Sequence, residues 1–454
     1  MITSSAFRGR RYAVLGLARS GMSAVEALLA SGAQVTAWDR RDEPREALAA
    51  AAHPNLTLAD PMAISLAGFD GVVVSPGVPL NTHPIAARAR AAGVPVIGDI
   101  ELFALARADL PPHKVVGITG TNGKSTTTAL VHHILKTAGV PTTMGGNIGL
   151  PILGQDPLPE GGVYVLELSS YQIDLTRSLD CDVAVLTNIT PDHLDRYDGF
   201  EAYAESKARL FAMQVQGQAV IATDDPTTRA VAARRKERLV RASLDDHAEW
   251  QRQWPALQGP HNRQNAACAI AACKLLGLGE DAIAQGLRTF PGLPHRMERI
   301  GEFGGVLFVN DSKATNPAST APALAAYPPN PEKRLHWIVG GLPKSDDLDE
   351  CAPYFGNVVC AYTIGEAGPM FADLLKPHMR VQRAEMLCEA LRCAIASALP
   401  GEVVLLSPAC ASFDQFRDYE TRGEAFRKLV LGLAGGDEEA ARQAVQDCPG
   451  RRTA

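Results

Sequence analysis

Gly117-Ile118-Thr119-Gly120-Thr121-Asn122-Gly123-Lys124-Ser125-Thr126-Thr127 is the stretch that decides the fold. Lys114-Val115-Val116 before it predicts a strand, and the run 128–135 after it predicts a helix. A strand, a glycine-bearing loop and a Lys-Ser pair opening a helix make a polyphosphate cradle. Backbone N–H groups and the positive helix end then face the anion. In that cradle Lys124 reaches the β- and γ-phosphates, and the Ser125 hydroxyl ligates a bridging Mg²⁺. The usual pattern has a glycine five positions before Gly123. Ile118 stands there, so the loop is a variant whose first turn glycine is Gly120. The competing reading is a glycine-rich turn with an ordinary surface lysine, and the Gly-Lys-Ser triplet in this strand–helix context weighs against it.

Strand-like apolar runs alternate with helical patterns along most of the 454 residues, which predicts an α/β chain with largely parallel sheets. The length suits about three domains at ~150 residues each. The first set of strands is expected at 12–16, 34–39, 71–75 and 94–97. The second begins at Val115 and includes 163–168, 183–188 and 219–222. The third is 306–310, 336–340, 361–365 and 402–407. Joints are expected near Gly98-Asp99-Ile100-Glu101 with the following Pro111-Pro112, and near Phe290-Pro291-Gly292-Leu293-Pro294. The expected domains are therefore 1–102, 103–292 and 293–454. From Gly435 the polar chain predicts a short helix and a frayed tail.

Charged residues make up 21% and hydrophobic ones 46%, ordinary for a soluble globular enzyme. A net charge of −6 offers no basic face for nucleic acid and no polybasic membrane signal. Nine cysteines are scattered without a CxxC pair or a Cys/His metal spacing. Cys268 and Cys273 lie in an Ala-rich helical run and read as buried, reduced thiols of a cytoplasmic protein. Arg8, Arg10 and Arg11 before an apolar run mimic a signal peptide, but Arg19 interrupts it and a first strand fits better. No stretch approaches the roughly 18–20 apolar residues of a bilayer span.

Several polar residues fall at expected strand ends. Gly16-Leu17-Ala18-Arg19-Ser20-Gly21, with Asp39 ending the next strand, approximates a dinucleotide fingerprint. Ala18 replaces the glycine that lets backbone approach a pyrophosphate, which weakens a NAD reading, while Ser20 and the helix start could still hold phosphate. Ser75-Pro76-Gly77 ends another strand on the same expected edge. Met144-Gly145-Gly146-Asn147-Ile148-Gly149 reads as a turn carrying one amide. Glu167 lies inside an apolar strand, where an unpaired carboxylate is costly and a cation partner, Mg²⁺ or a basic side chain, is expected. His193, after Thr190-Pro191-Asp192, reads locally as a loop histidine, since imidazole is an uncommon Mg²⁺ ligand. Lys207, on the expected helix 202–214, has nothing local to set it apart from a solvated lysine. Asn262 and Asn265 share one helix face and could read a base edge or cap the helix. In the third region Leu293-Pro294-His295-Arg296, Asn310-Asp311-Ser312-Lys313-Ala314-Thr315-Asn316, Gly340-Gly341-Leu342-Pro343-Lys344 and Ser407–Phe416 pack polar groups at strand ends beyond what turns require.

In this order the segments GTNGKST, LELSSYQ, NITPDHLDRY, GPHNRQNA, LPHR and NDSKATN resemble the Mur ligase family of peptidoglycan synthesis. The segments SPACASFDQFRDYETRG at Ser407–Gly423 and GDIELF at Gly98–Phe103 resemble the branch that adds D-glutamate. The resemblance implies a Rossmann-like N-terminal domain for the UDP-sugar and a central P-loop ATPase-like domain with a mostly parallel sheet. It also implies a Rossmann-like C-terminal domain that takes the amino acid and closes over ATP. It implies ATP phosphates on Gly120, Thr121, Asn122, Gly123, Lys124, Ser125 and Thr126, and Mg²⁺, two ions, on Ser125, Glu167 and His193. Lys124, His193 and Lys207 would be catalytic, with Lys207 carbamoylated so that it engages the second ion. Asn262 and Asn265 would meet the adenine, and Arg296, Asp311 and Lys313 the ribose and phosphates. Arg19, Ser20, Asp39, Arg40, Gly77 and Asn147 would surround UDP-N-acetylmuramoyl-L-alanine. Thr315, Lys344, Ser412, Phe413 and Tyr419 would form the D-glutamate pocket. The family's loop before the lysine commonly reads Gly-Gly-Asp-Gly-Lys, where this chain has Gly-Gly-Leu-Pro-Lys. The expected protein is a cytoplasmic monomer that binds neither nucleic acid nor membrane. The alternatives are a sister ligase adding another amino acid, or glutamate to folate, and an ATP-dependent regulatory or nucleotide-sugar binding module without chemistry.

Overall fold

The protein is described here from a computed structural model covering residues 1–192 and 194–436. Three sheets follow one another along the chain. The first contains β1 (Arg11–Leu15), β2 (Gln34–Trp38), β3 (Leu56–Leu58), β4 (Gly71–Val74) and β5 (Val96–Ile97), ordered β3-β2-β1-β4-β5 and wholly parallel. The order reverses beside β1, so a crevice opens at the carboxyl ends of β1 and β4, where open α/β sheets take ligands. The central sheet holds β6 (His113–Thr119), β7 (Thr142–Gly146), β8 (Gly162–Glu167), β9 (Val183–Leu186), β10 (Gln218–Ala222) and β11 (Leu239–Ala242). Its order is β11-β10-β9-β6-β8-β7, again parallel. The third comprises β12 (Glu298–Phe303), β13 (Val306–Asn310), β14 (Leu335–Gly340), β15 (Val358–Ile364), β16 (Arg380–Glu385) and β17 (Val403–Leu406), ordered β12-β13-β17-β14-β15-β16. Only β12 runs antiparallel to its neighbour.

The chain divides into two compact units. One is Met1–Ala248 with Gln264–Arg288, and the other is Glu249–Arg263 with the residues from Thr289 onward. The first unit contains two sheets because the segment after β5 is no loose linker. It forms the helix Asp99–Ala106, whose Glu101 carboxylate accepts from Arg177 N at 2.7 Å, Ser178 N at 3.0 Å and Ser178 Oγ at 2.8 Å. One apolar core runs from Val14 and Leu28 through Phe103 to Leu166 and Leu186.

Two further expectations need correction. Met144-Gly145-Gly146 is the end of edge strand β7 rather than part of a turn, held by pairing to β8. The Asn262–Asn265 segment lies inside the helix Pro260–Leu275, so neither amide stands at the cap position before it. The tail expected to be helical and then frayed falls at residues 437–454, outside the described residues, as does His193. No helix among the described residues is long and apolar enough to cross a membrane.

Candidate active site

The carboxyl ends of β6, β8 and β9 are neighbours, and each ends in chemistry. Past β6 the chain enters the loop 120–123, shaped by Gly120 (φ +150°) and the left-handed Gly123 (φ +81°). A Cβ at Gly120 would overlap Thr187 Oγ1 and one at Gly123 would overlap Asn265 Oδ1, so both positions require glycine. The segment after β9 braces the loop. Thr121 N donates to Asn188 O at 2.9 Å and Asn122 N to Asn188 Oδ1 at 2.8 Å. Thr187 Oγ1 and Asn188 Nδ2 both donate to Asn122 O, at 2.7 and 3.0 Å. The helix Lys124–Thr137 then starts with no side-chain cap, leaving its first N–H groups for an anion. Lys124 Nζ donates to Thr121 O at 2.7 Å, and Ser125 and Thr126 are buried.

Lys207 is the largest departure from local sequence expectation. It is 1% exposed, its Nζ donates to Gly120 O at 2.8 Å and lies 4.5 Å from the Tyr203 ring centroid. Burial, aided by the charge on Lys124, pulls its amine down to about 7. The helix Phe200–Ala212 buries Tyr203, Ser206, Lys207, Leu210 and Phe211, an i, i+3/i+4, i+7 stripe. A lysine on that stripe was the available signal.

Glu167 ends β8 opposite Ile118 of β6 and is 1% exposed. Its Oε1 accepts from Asn147 Nδ2 at 2.8 Å, while its buried Oε2 has no hydrogen-bond partner. A buried carboxylate oxygen left without a donor fits a metal ligand, because the ion supplies the missing charge. Ser125 and Glu167 are thus the described residues suited to Mg²⁺. No group of three His, Cys, Asp or Glu gathers as a metal site among the described residues. Mg²⁺ ordinarily takes one or two protein ligands, with waters and substrate phosphates completing its shell.

At the first sheet's edge, Gly16 (φ +91°) and Gly21 keep their fingerprint roles. A Cβ at Gly21 would overlap Gly16 O, and Ser75 Oγ donates to Gly16 O at 2.9 Å. Arg19 and Ser20 open the helix Arg19–Ala30, which has no side-chain cap, and Arg40 and Gly77 are exposed close by in sequence to β2 and β4. Asp39 is occupied by its own fold, accepting from Leu17 N at 2.6 Å and Arg41 N at 2.9 Å. Burial alone would raise its carboxyl, but these hydrogen bonds and Arg41 outweigh that and hold it low. Arg196, which sequence reasoning missed, ties this edge to the central domain. It donates to Val78 O at 3.3 Å and stacks 4.5 Å over Tyr171. Asn147, expected with this group, donates its amide to Glu167 at the end of β8.

In the second unit, the strand ends of β13, β14 and β17 gather the remaining residues. Asp311 is buried and accepts from Ser407 Oγ at 2.8 Å and Met297 N at 3.1 Å. Burial pushes its carboxyl up to about 7 despite those bonds and the Arg296 charge. Lys313 N donates to His295 O at 2.9 Å, and its Nζ lies 5.4 Å from the Tyr419 ring centroid. Lys344 Nζ donates to Thr315 Oγ1 at 3.2 Å, so the Leu-Pro loop still delivers its lysine to Thr315. Ser412 is buried, whereas Phe413 is 69% exposed. Away from those strand ends, Asn262 Nδ2 donates to Gln258 O at 3.1 Å, whereas Asn265 belongs to the first unit, where it packs on Gly123.

Three family models match the chain in order. They are a Mur ligase MurD-like N-terminal domain over residues 10–98, a Mur ligase middle domain over 118–256 and a Mur ligase glutamate ligase domain over 295–410. A protein of Novosphingobium aromaticivorans named UDP-N-acetylmuramoylalanine--D-glutamate ligase is 66% identical, across 95% of this chain and 97% of that one. Proteins with the same name from Sphingopyxis alaskensis and Zymomonas mobilis are 64% and 57% identical, each across 95% of this chain and 100% of their own length. Among solved structures, the UDP-N-acetylmuramate-alanine ligase of Thermotoga maritima shares the fold with a TM-score of 0.55 at 17% identity, covering 93% of this chain and 99% of that one.

Proposed function

The chain belongs to the Mur ligase family, and from that premise we propose that it joins D-glutamate to UDP-N-acetylmuramoyl-L-alanine with cleavage of ATP, in peptidoglycan precursor synthesis. The observation that carries the reading is the meeting of three features at one sheet edge. These are the P-loop 120–126, the buried Lys207 on its Gly120 carbonyl, and the Glu167 carboxylate with an unpartnered buried oxygen.

Gly120 to Thr126 hold the phosphates, and Lys124 exchanges its bond to Thr121 O for the γ-phosphate. Asn262 and Asn265 take the adenine, and Arg296, Asp311 and Lys313 take the ribose and phosphates. Mg²⁺, two ions held by Ser125, Glu167, His193 and the substrate phosphates, would neutralise charge on the transferred group. A near-neutral amine pKa leaves Lys207 partly uncharged at physiological pH, the form that adds CO₂ to give a carbamate. The anion so formed would engage the second ion, which would supply the compensating positive charge. Arg19, Ser20, Asp39, Arg40, Gly77 and Asn147 face the UDP-sugar, and Asn147 also holds Glu167 through its amide.

The L-alanyl carboxylate attacks the γ-phosphorus, ADP leaves and an acyl phosphate results. The D-glutamate amine, placed by Thr315, Lys344, Ser412, Phe413 and Tyr419, attacks the acyl carbon and loses a proton. Phosphate then departs from the tetrahedral intermediate. Water would waste the acyl phosphate, so the amine must reach it in a site closed to solvent. ATP supply puts the reaction in the cytoplasm. The proposed catalytic unit is a monomer. Phosphate release with UDP-N-acetylmuramoyl-L-alanine should require D-glutamate, with L-glutamate, L-lysine and meso-diaminopimelate inactive. Release with one of these in place of D-glutamate would move the chain to a sister ligase.

A further inference from the structure

Arg422 is 1% exposed, yet no described carboxylate forms an ion pair with it. On the helix Tyr419–Leu433 it occupies the buried stripe of Phe426, Leu429 and Val430, where an apolar residue would ordinarily stand. Its guanidinium is satisfied by neutral oxygens of two loops. Nε donates to Ser312 Oγ at 3.0 Å and Nη2 to Ser312 O at 2.8 Å. Nη2 also donates to Cys410 O at 3.1 Å, and Nη1 to Ala411 O at 3.1 Å. A third loop rests on the same group, because a Cβ on Gly341 (φ +134°) would lie 3.2 Å from Nη1. Leu342 and Ala411 exchange backbone hydrogen bonds at 3.0 and 2.9 Å, which closes the ring of loops. These loops leave β13, β17 and β14, three adjacent strands. Burying a charge among neutral hydrogen-bond partners is expensive, with the Asp414 carboxylate offsetting part of the cost, and a rigid planar fork is suited to gripping two loops at once.

We propose that Arg422 is a positioning residue of the ligase reaction. It fixes the loop of Asp311, Lys313 and Thr315 against the loop of Ser412 and Phe413, and supports the loop of Lys344, so nucleotide-facing and amino-acid-facing groups are aligned together. The inference rests on the assignment of those loops under the proposed function.

The test is Arg422→Lys in the full-length chain, with a thermal melt and separate KM values for ATP, D-glutamate and UDP-N-acetylmuramoyl-L-alanine. Lysine keeps the charge and loses the fork. The folded variant should show kcat/KM for both ATP and D-glutamate reduced about tenfold, the size of one lost charge-assisted hydrogen bond. KM for the UDP-sugar should not change. A lower melting temperature with wild-type kinetics would make the residue merely structural and overturn the proposal. If Arg422→Lys does not fold, Ser312→Ala decides, since it removes only the Nε acceptor and the bond to Tyr419 O; the same paired loss is expected, and normal kinetics overturn the proposal. Ser412→Ala separates the two layers. If it leaves KM for D-glutamate unchanged, the loop assignment fails. If it raises that KM while Arg422→Lys and Ser312→Ala do nothing, the positioning inference alone fails.

Discussion

Replacing Lys207 with alanine is expected to lower kcat on the order of 10²–10³-fold, the usual cost of losing one preorganised electrostatic group at a reacting centre. The chain should still fold, because removing a buried amine also removes its desolvation cost. Acetate or formate, small enough to enter the vacated space and carrying the carboxylate that a carbamate would supply, should restore part of the activity. The pH dependence has a definite sign. Lys207 becomes neutral as pH rises through about 7, and only the neutral amine takes up CO₂ with release of a proton. Stripping CO₂ from the buffer should therefore lower wild-type activity, and bicarbonate should restore it more completely at pH 8.5 than at pH 6.5. Activity indifferent to CO₂ at both pH values, with no rescue of Lys207→Ala by carboxylates, would remove the carbamate and leave Lys207 as a brace for Gly120.

Glu167→Gln isolates the metal side of the same centre. The change is nearly isosteric and keeps an acceptor for Asn147 Nδ2, so the β7–β8 edge should persist. It removes the negative charge at the buried oxygen that has no protein partner. Changes around metal ligands cost roughly 10–100-fold in metal affinity, and loss of a ligand's charge should reach at least ~100-fold. Mg²⁺ titration of activity should shift by that factor, and Mn²⁺ binding in the presence of ATP, followed by electron paramagnetic resonance, should weaken in parallel. An unchanged Mn²⁺ affinity would mean that Glu167 serves Asn147 and the loop after β7 rather than an ion.

The interior of this fold was legible in the sequence, and its margins were not. Every strand flanked on both sides by others was expected, because burial on both faces demands continuous apolar runs such as Val163–Leu166 and Val183–Leu186. The strands missed were β3, β7, β11, β12 and β16, and each of them is a sheet edge. Edge strands are short or charged, as Arg380–Glu385 is, and their pairing is set by a neighbour far away in sequence. The phosphate loop was equally legible because its chemistry is contiguous. Lys207 and Arg422 defeated local reading for one shared reason. Each is a cation on the apolar stripe of a helix, and its partners, Gly120 O in one case and Ser312, Cys410 and Ala411 in the other, come from other segments of the chain. A charged residue at a stripe position is a readable sign that something polar waits inside.

An oxygen atom of the L-alanyl carboxylate can be followed into the products. UDP-N-acetylmuramoyl-L-alanine labelled with ¹⁸O in both carboxyl oxygens is turned over with ATP and D-glutamate, and the released phosphate is weighed by mass spectrometry. Attack of that carboxylate on the γ-phosphorus leaves one of its oxygens bridging carbon and phosphorus, and departure of phosphate carries that oxygen away. One ¹⁸O is expected in the phosphate and one in the new amide. Phosphate free of label would show that the carboxylate never joined the γ-phosphorus, and would contradict the acyl-phosphate chemistry assigned to Lys124, Glu167 and Lys207.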